Sequence, residues 1–458
     1  MPPSPLSTAR RIADLVAAEG GRALVVGGWV RDQLLGLDPK DLDIEVFNID
    51  GDRLPQLLGQ LGRVEPIGLS FPVYKVGPVD VALPRRESKT GRGHKGFTVQ
   101  GDPHMTFEEA ARRRDFTINA IGWDPLANAY LDPFDGRGDL AARRLRVVDA
   151  RTFGDDSLRV LRAVQLAARF ELEADAGLRN LCRRIPLDDL PSERIWGEIE
   201  KLLLRPRRPS GGFRLALELE VIARILPELQ PLVGCPQEPE WHPEGDVWVH
   251  TLMVIDEARG RIEDLERAGQ VALMLGAVCH DLGKPATTAV IDGRIRSLGH
   301  EEAGVSPATA LLDRLNLHAI DGTDVRRQVL GLVAHHLTPG AWFKVRDEVG
   351  DGAFRRLAAK VDMELLARLA EADCRGRLGP FDCSAMSWFL ERSRQLGVEH
   401  RPPPPLVLGR HLLALGMTPG PAVGRVLKEL YELQLDGEIR TVEEGVAAAS
   451  ERLRSNRS

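Results

Sequence analysis

Cysteine is scarce in this chain. Only Cys182, Cys235, Cys279, Cys374 and Cys383 are present, and none forms a C-x-x-C pair. An odd, scattered set argues against a disulfide framework and predicts reduced thiols of the cytoplasmic kind. An apolar signal core is missing from the N-terminal MPPSPLSTARR. Long hydrophobic runs are missing too: the longest, around Val271–Cys279, falls far short of the ~20 residues that span a bilayer. The expectation is a soluble, cytoplasmic protein without a membrane partner. There is also no excess of positive charge, since 61 Lys and Arg face 67 Asp and Glu for a formal net charge of −6. The bulk signature of a nucleic-acid binder is therefore absent, although a basic patch can hide within a balanced total. No internal repeat recurs at a fixed period.

What is present is enough for ordinary globular cores. The 458 residues are 43% hydrophobic, which suggests two to four domains at ~100–200 residues each. The first part alternates strand and helix signals. Ala23–Val26 is a short apolar run stopped by Gly27-Gly28, Leu42–Phe47 a second strand, and Val73–Leu83 a hairpin broken at Gly77-Pro78. Helical patterns sit at Ser7–Ala18 and Trp29–Leu35. From about Asp139 onward the pattern is almost wholly helical, with Asp155–Phe170, Ser192–Leu204 and Gly212–Leu219 apolar at three- to four-residue spacing. Pro-rich breaks separate a further helical region that holds seven of the eleven histidines, and Arg401–Pro405 leads into a small helical tail. The expected class is α+β. Its expected segments are a mixed head at 1–138, an all-α neck and body at 139–235, an all-α domain at 236–400 and a tail at 401–458.

Residues 24–47 read LVVGGWVRDQLLGLDPKDLDIEVF. A strand ends in two glycines and a helix begins at once. Glycine lets backbone approach a phosphate, and a helix start offers free N–H donors. Gly28 is therefore a candidate phosphate contact, and Arg31, one turn on, can reach the same anion. Asp41 and Asp43 then stand two apart at a strand start, so both carboxylates face one spot. Hard cations such as Mg²⁺ take oxygen ligands and share them with substrate phosphates. Two such ions stabilise the attacking and leaving oxygens of phosphoryl transfer. Taken singly, the glycine pair is an ordinary turn and the D-x-D a solvated strand edge. The combination is far more specific.

Two later segments extend it, RRRDFTINAI at 112–121 and GDDSLRVLR at 154–162. Read as one helix, the second places Asp156, Arg159 and Arg162 three apart, over about a third of the circumference. Arg forks and a carboxylate supply both the donors and the acceptors that a cytosine or adenine edge requires. By themselves these residues would be a surface ion pair worth a few tenths of a kcal/mol.

Together, GGWVRD, DLD, RRDFTINAI and DDSLRVLRAVQLAARF resemble the class II tRNA nucleotidyltransferases, the CCA-adding enzymes, over roughly residues 20–235. The resemblance implies a polymerase-β-like head with Mg²⁺ on Asp41 and Asp43, and nucleotide triphosphate on Gly28, Arg31 and Arg114. Asp115 and Asn119 would shape the site. Asp156, Arg159 and Arg162 would act as a protein template for CTP and ATP, with tRNA as the partner. The family's Glu at the start of that last motif is Asp155 here. Asp80 is a candidate third carboxylate. The stretch IGLSFPVYKV lacks the basic pair that bacterial poly(A) polymerases carry after their D-x-D strand. Arg85–Thr98 resembles the flexible loop that lets the family switch from C to A addition.

The second constellation is histidine-rich: WHPEGDVWVHT at 241–251, VCHDLGK at 278–284, then His300, His336 and Asp373. His280-Asp281 with a distant His250 and a later Asp373 gives mixed nitrogen and oxygen donors, suited to Mn, Fe, Ni or Zn. Such an ion activates water for phosphoester hydrolysis. The pattern resembles the HD phosphohydrolases, whose ligands are His, His-Asp and Asp. On that resemblance His250, His280, Asp281 and Asp373 hold a divalent transition metal or Mg²⁺, and His300 and His336 serve a possible second ion. WHPEGDVWVHTLMV, GHEEAGV and EADCRGR look most like the HD-bearing bacterial CCA-adding enzymes. That implies 2′,3′-cyclic phosphodiesterase, 2′-nucleotidase and phosphatase activities.

The expected function is template-independent addition of C and A to the tRNA 3′ end, with a phosphohydrolase on the same chain. Narrower readings are an A-only enzyme or a poly(A) polymerase. A reading of another class is a hydrolase whose head only binds RNA, and a third is a non-catalytic RNA-binding protein.

Overall fold

The computed structural model describes residues 4–39, 41–67, 72–89 and 97–455. The chain splits into two compact units, Met1–Pro206 with Gly211–Ile225, and Arg207–Ser210 with Leu226–Ser458.

The first unit is mixed α+β. Its strands are β1 (Arg22–Val26), β2 (Leu42–Phe47), β3 (Glu65–Ile67), β4 (Val73–Val76), β5 (Val79–Ala82), β6 (Arg85–Lys89), β7 (Phe97–Gly101), β8 (Gly122–Asp124) and β9 (Ala129–Leu131). Seven of them form one sheet in the order β3-β4-β5-β2-β1-β8-β9. β1 and β2 are antiparallel, while β2 and β5 run parallel with Asp43 opposite Asp80. The apolar run of β1 and the apolar positions of β2, which alternate with Asp43 and Glu45, bury Leu24, Val25, Ile44 and Val46, against which helix Pro5–Ala18 lays Ile12 and Val16. β6 and β7 pair separately as an antiparallel ribbon. The middle of the Arg85–Thr98 segment and part of IGLSFPVYKV lie outside the described residues. The helical portion packs Leu158–Phe170 against Ser192–Leu204. A two-residue parallel pair, β10 (Arg144–Leu145) and β11 (Glu173–Ala174), ties its start to the turn after the first of these helices.

One local expectation fails here. Asp155 closes a 3₁₀ turn and Asp156 is extended, at φ −120° and ψ 105°, so the helix begins only at Leu158. The Asp156 carboxylate accepts the Leu158 N–H at 3.2 Å. It competes with the helical ladder for the backbone, as short acidic side chains do at helix starts.

The second unit is a helical bundle with two departures from expectation. Strands β12 (Thr288–Ile291) and β13 (Arg294–Ser297) form a hairpin inside the region read as helical. Its turn, Asp292-Gly293, has φ of 53° and 73°, the left-handed pair that a two-residue Asp-Gly hairpin requires. Cys374 and Cys383 form a disulfide, correcting the expectation of reduced thiols throughout. Helix Met363–Arg375 ends just past Cys374, and the chain then turns back within nine residues, leaving the two Cα atoms 5.9 Å apart, inside the bridging range. Cys182, Cys235 and Cys279 stay free and buried. The tail keeps its own small core of Val407, Leu412, Leu430, Ile439 and Ala449. Among the described residues no helix is long and apolar enough to cross a membrane.

Candidate active sites

In the first unit a cavity of about 650 Å³ is lined by Gly28, Arg31, Asp43, Arg114, Asp156, Arg159 and Arg162. Asp41 stands exposed one residue before β2 and does not line the cavity, but its charge is felt at Asp43. Crowding by protein raises the Asp43 carboxyl above its ordinary range. Arg114 opposes that, while Asp80, Asp41 and Glu45 add to it. Parallel register puts Asp80 beside Asp43 on the same face of the sheet. Asp43, Asp80 and Asp41 thus repel one another, carboxylates of the type that a hard divalent cation takes as ligands.

Gly27 turns the chain from β1 into helix Gly28–Leu34 at φ 75°. A Cβ there would come within 3.1 Å of Arg114 Nη1, so the position needs glycine for its conformation and for space. Arg114 is anchored by Glu45 at 3.1 Å and donates to the Asn119 carbonyl at 3.3 Å. Arg31 is buried, donates to Asp32 at 2.8 Å and to the Asn119 side chain at 2.5 Å, and lies over the Phe170 ring. Burial lowers its pKa despite Asp32.

The three base-reading candidates are held differently. Asp156 takes a two-pronged pair from Arg194, at 3.1 and 2.9 Å. Arg159 donates only to main-chain carbonyls, Arg113 at 2.7 Å and Thr152 at 3.2 Å. Arg162 donates to buried Asp115 at 2.7 Å. Burial works against the Asp115 charge, yet Arg162, Asn119 and the Phe116 N–H outweigh it and hold the carboxyl below its usual range.

In the second unit every predicted histidine turns inward. His280 Nδ1–H donates to Ala277 O at 2.9 Å, His300 to Ser297 O at 2.7 Å, and His336 to Val333 O at 2.9 Å. His250 Nδ1–H donates to the Glu244 carboxylate at 2.8 Å. Each donation fixes the tautomer and leaves Nε2 with its lone pair toward the centre. There His250 Nε2 lies 3.0 Å from Asp373, and His280 Nε2 3.2 Å from Asp281. His300 Nε2 and His336 Nε2 stand 3.2 Å apart beside the other Asp281 oxygen. The His280 Nε2 is buried without a hydrogen-bond partner, an unfavourable arrangement unless a cation occupies it. Among the described residues three donor groups could hold an ion, His242/Glu244/His250, His250/His280/Asp281 and Asp281/His300/His336, each with ligand atoms within 4.8 Å. Asp281 belongs to the last two and His250 to the first two. Gly283 makes the closeness possible, because a Cβ there would lie 2.0 Å from the His300 carbonyl. Burial and the neighbouring His280 and His300 push His336 down to about 3, so it stays neutral.

Residues 23–146 match the family model of the poly A polymerase head domain. The chain is 37% identical to the multifunctional CCA protein of Methylobacillus flagellatus over 383 residues, 80% of this chain and 87% of that relative. It is also 37% identical to the multifunctional CCA protein of Xanthomonas oryzae pv. oryzae, over 78% and 85% of the two chains. The chain belongs to the multifunctional CCA protein family. Its fold is that of solved CCA-adding enzymes. One, from Bacillus stearothermophilus in complex with CTP, has a TM-score of 0.63 at 19% identity over 99% of both chains. Another, from Thermotoga maritima and complexed with tRNA, has 0.58 at 18% over 98% and 96%. As a tRNA nucleotidyltransferase it depends on a divalent metal.

Several contributors escaped the sequence reading. Arg194 lies on helix Ser192–Leu204 and Asp156 just before helix Leu158–Phe170, and only packing of the two helices unites them. Lys284 is buried, donates to Gln237 at 2.7 Å and pairs with Asp281 at 2.8 Å; its place in HDLGK was the available signal. Glu244, in HPEGD, carried none.

Proposed function

We propose that this family member builds or repairs the tRNA 3′ CCA end from CTP and ATP without a nucleic-acid template. The carrying observation is one cavity that unites Gly28, Arg31, Asp43 and Arg114 with Asp156, Arg159 and Arg162. The RNA 3′ hydroxyl attacks the α-phosphate, and pyrophosphate leaves toward Gly28 and Arg31. Asp41 and Asp43, with Asp80 beside them, hold Mg²⁺, which when bound neutralises charge developing on the phosphate oxygens. Asp156 and Arg159 offer the base an acceptor and a donor fork, and Arg162 braces them through Asp115. We take 1–138 as the nucleotidyltransferase head and 139–235 as the neck and body that select the nucleotide and bind RNA. We assign the enzyme to the cytoplasm, as a tRNA-processing protein.

The test offers tRNA ending before CCA, after C and after CC, with CTP or ATP singly, and sizes the products. Stepwise addition of two C and one A is expected, and Asp41→Ala should abolish it. Addition of A alone would reduce the role to A-adding, and long A tails on arbitrary RNA would make the enzyme a poly(A) polymerase.

A second reading concerns residues 236–400, and the orphaned His280 Nε2 favours it. We propose a metal-dependent phosphohydrolase that removes cyclic or terminal phosphates from RNA 3′ ends. His250, His280, Asp281 and Asp373 would hold a transition metal or Mg²⁺, with His300 and His336 completing a second site. Asp281, His300, His336 and Asp373 line a cavity of about 650 Å³ whose walls also carry Lys284, Arg296, Lys344 and Arg377 for phosphate, and Trp241 and Phe343 for a base. Elemental analysis of the purified protein and of His280→Ala tests it: metal in the first and none in the second unit of the variant is expected. Residues 401–458 form the helical tail.

A further inference from the structure

Four histidines turn Nε2 toward the centre of the second unit, but their outer nitrogens are not held alike. His280 and His336 stand at the C-caps of helices Arg267–Cys279 and Val325–His335. The last carbonyls of a helix lack intrahelical partners, so Ala277 O and Val333 O are free to accept the imidazole N–H. His300 uses Ser297 O, at the end of β13. His250 has no such option. It lies in the first turns of helix Val247–Arg259, where Val247 O, one turn back, is taken by Thr251 Oγ1 at 2.8 Å. A carboxylate from the preceding segment supplies the acceptor instead.

That carboxylate is Glu244, whose side chain is fully buried. Its Oε1 accepts from His250 Nδ1 and from His242 Nδ1, each at 2.8 Å. Its Oε2 accepts the Leu378 N–H at 3.2 Å, just beyond the helix that carries Asp373. The His242 and His250 rings meet edge to face with centroids 4.7 Å apart. One acidic group thus ties a candidate metal ligand, a ring on the cavity wall and the segment following another ligand.

We propose that Glu244 is the positioning residue of this metal centre. It fixes His250 in the Nδ1–H tautomer with Nε2 turned inward, and its charge strengthens the imidazole as a donor. This rests on the phosphohydrolase reading of the second unit, where three rings take their orientation from main chain and only His250 depends on a removable side chain.

Mn²⁺ binding to the full chain, followed by the electron paramagnetic resonance of free Mn²⁺, tests it in an Asp43→Asn background that weakens the head's site. Glu244→Gln keeps the shape and loses the charge, and should bind Mn²⁺ about 10–100-fold more weakly. With Co²⁺ instead, its visible ligand-field bands should shift, which a purely structural change would not cause. His242→Gln should stay within about twofold of the parent, since that ring is held by Glu244 without holding the metal. Unchanged Mn²⁺ affinity and Co²⁺ bands in Glu244→Gln overturn the proposal. Equal losses in Glu244→Gln and His242→Gln also overturn it, by making both residues ligands. If Glu244→Gln does not fold, Glu244→Asp retains the charge one methylene short and should show the same weakening; parent-like binding overturns the proposal. A parent that binds no Mn²⁺ at this centre overturns the phosphohydrolase reading itself.

Discussion

The two candidate sites are both crowded with charge, but they balance it differently. In the nucleotide cavity the groups satisfy one another: Asp156 with Arg194, Arg162 with Asp115, Arg31 with Asp32. In the histidine centre some groups pair, His250 with Asp373 and Lys284 with Asp281, but imidazole nitrogens and carboxylates converge there and His280 Nε2 is buried without a hydrogen bond. A site of internally paired arginines can exchange partners with a nucleotide and then re-form. On the proposed reading the first site turns its ligands over and the second retains a cation.

The largest effects should separate the sites. Asp43→Asn is expected to lower nucleotide incorporation about 10³-fold while hydrolysis of a 2′,3′-cyclic nucleotide persists. Asp281→Ala removes the carboxylate shared by two of the three donor groups. It should empty the second unit of metal and abolish that hydrolysis while CCA addition on intact tRNA continues. Loss of both activities in either variant would break the comparison.

Within the nucleotide cavity the partners are not equally exchangeable. The Asp156–Arg194 pair is about a quarter exposed on both sides, so it contributes at most roughly 1 kcal/mol and is easily traded for a base. Asp115 is almost wholly buried, and stripping its guanidinium leaves an uncompensated charge. Asp156→Ala should therefore cut discrimination of CTP and ATP against UTP by about 10–100-fold with little change in melting temperature. Arg162→Ala should cost roughly 2–3 kcal/mol of stability, measured by denaturant titration. A reversal of the two outcomes would mean that Arg162, not Asp156, meets the base.

The cation proposed for the histidine centre should be sensitive to acid. Burial disfavours a charge on His250, yet Asp373 and Glu244 outweigh it and raise its pKa above 6.5. A proton thus competes for Nε2 more strongly than at an ordinary imidazole, and metal affinity should fall as the pH drops from alkaline to acidic. Metal titrations across this range check the direction.

The smallest effect concerns stability. Because crowding by protein raises Asp43, the metal-free folded state binds its proton more tightly than the unfolded chain does. Its stabilising effect is complete below the unfolded pKa and is lost as the pH rises through the folded one. At neutral pH the carboxylate therefore costs stability, and Asp43→Asn should raise the metal-free melting temperature. Solvent access to the group limits the gain to about 1 °C. A thermal melt in chelator reads it, and a lower value would show that the carboxylates are not in strain.

Much of this was legible locally. β2 and helix Ser192–Leu204 fall where apolar periodicity puts them, because a strand's two-residue and a helix's 3.6-residue repeat are written into neighbouring positions. The D-x-D, GGWVRD and HD motifs were legible for the same reason. Asp156 was misplaced onto a helix because its own side chain competes for the backbone there. The Asp292-Gly293 hairpin carried its usual signal but lay within a helical context that masked it.

By itself, then, the sequence determined the identity of the chemical groups: paired acidic residues, arginines at helical spacing, and a histidine set. Only the tertiary structure decided how those groups are held. Asp80 meets Asp43 through parallel pairing of strands distant in sequence. Arg194 reaches Asp156 through the packing of two helices, and Cys374 meets Cys383 where a helix ends and the chain turns back. Glu244 became visible only once His250 was seen on a helix turn with no free carbonyl. Ligand identity is a property of residue type, whereas partner, tautomer and exposed lone pair depend on distances that only packing sets.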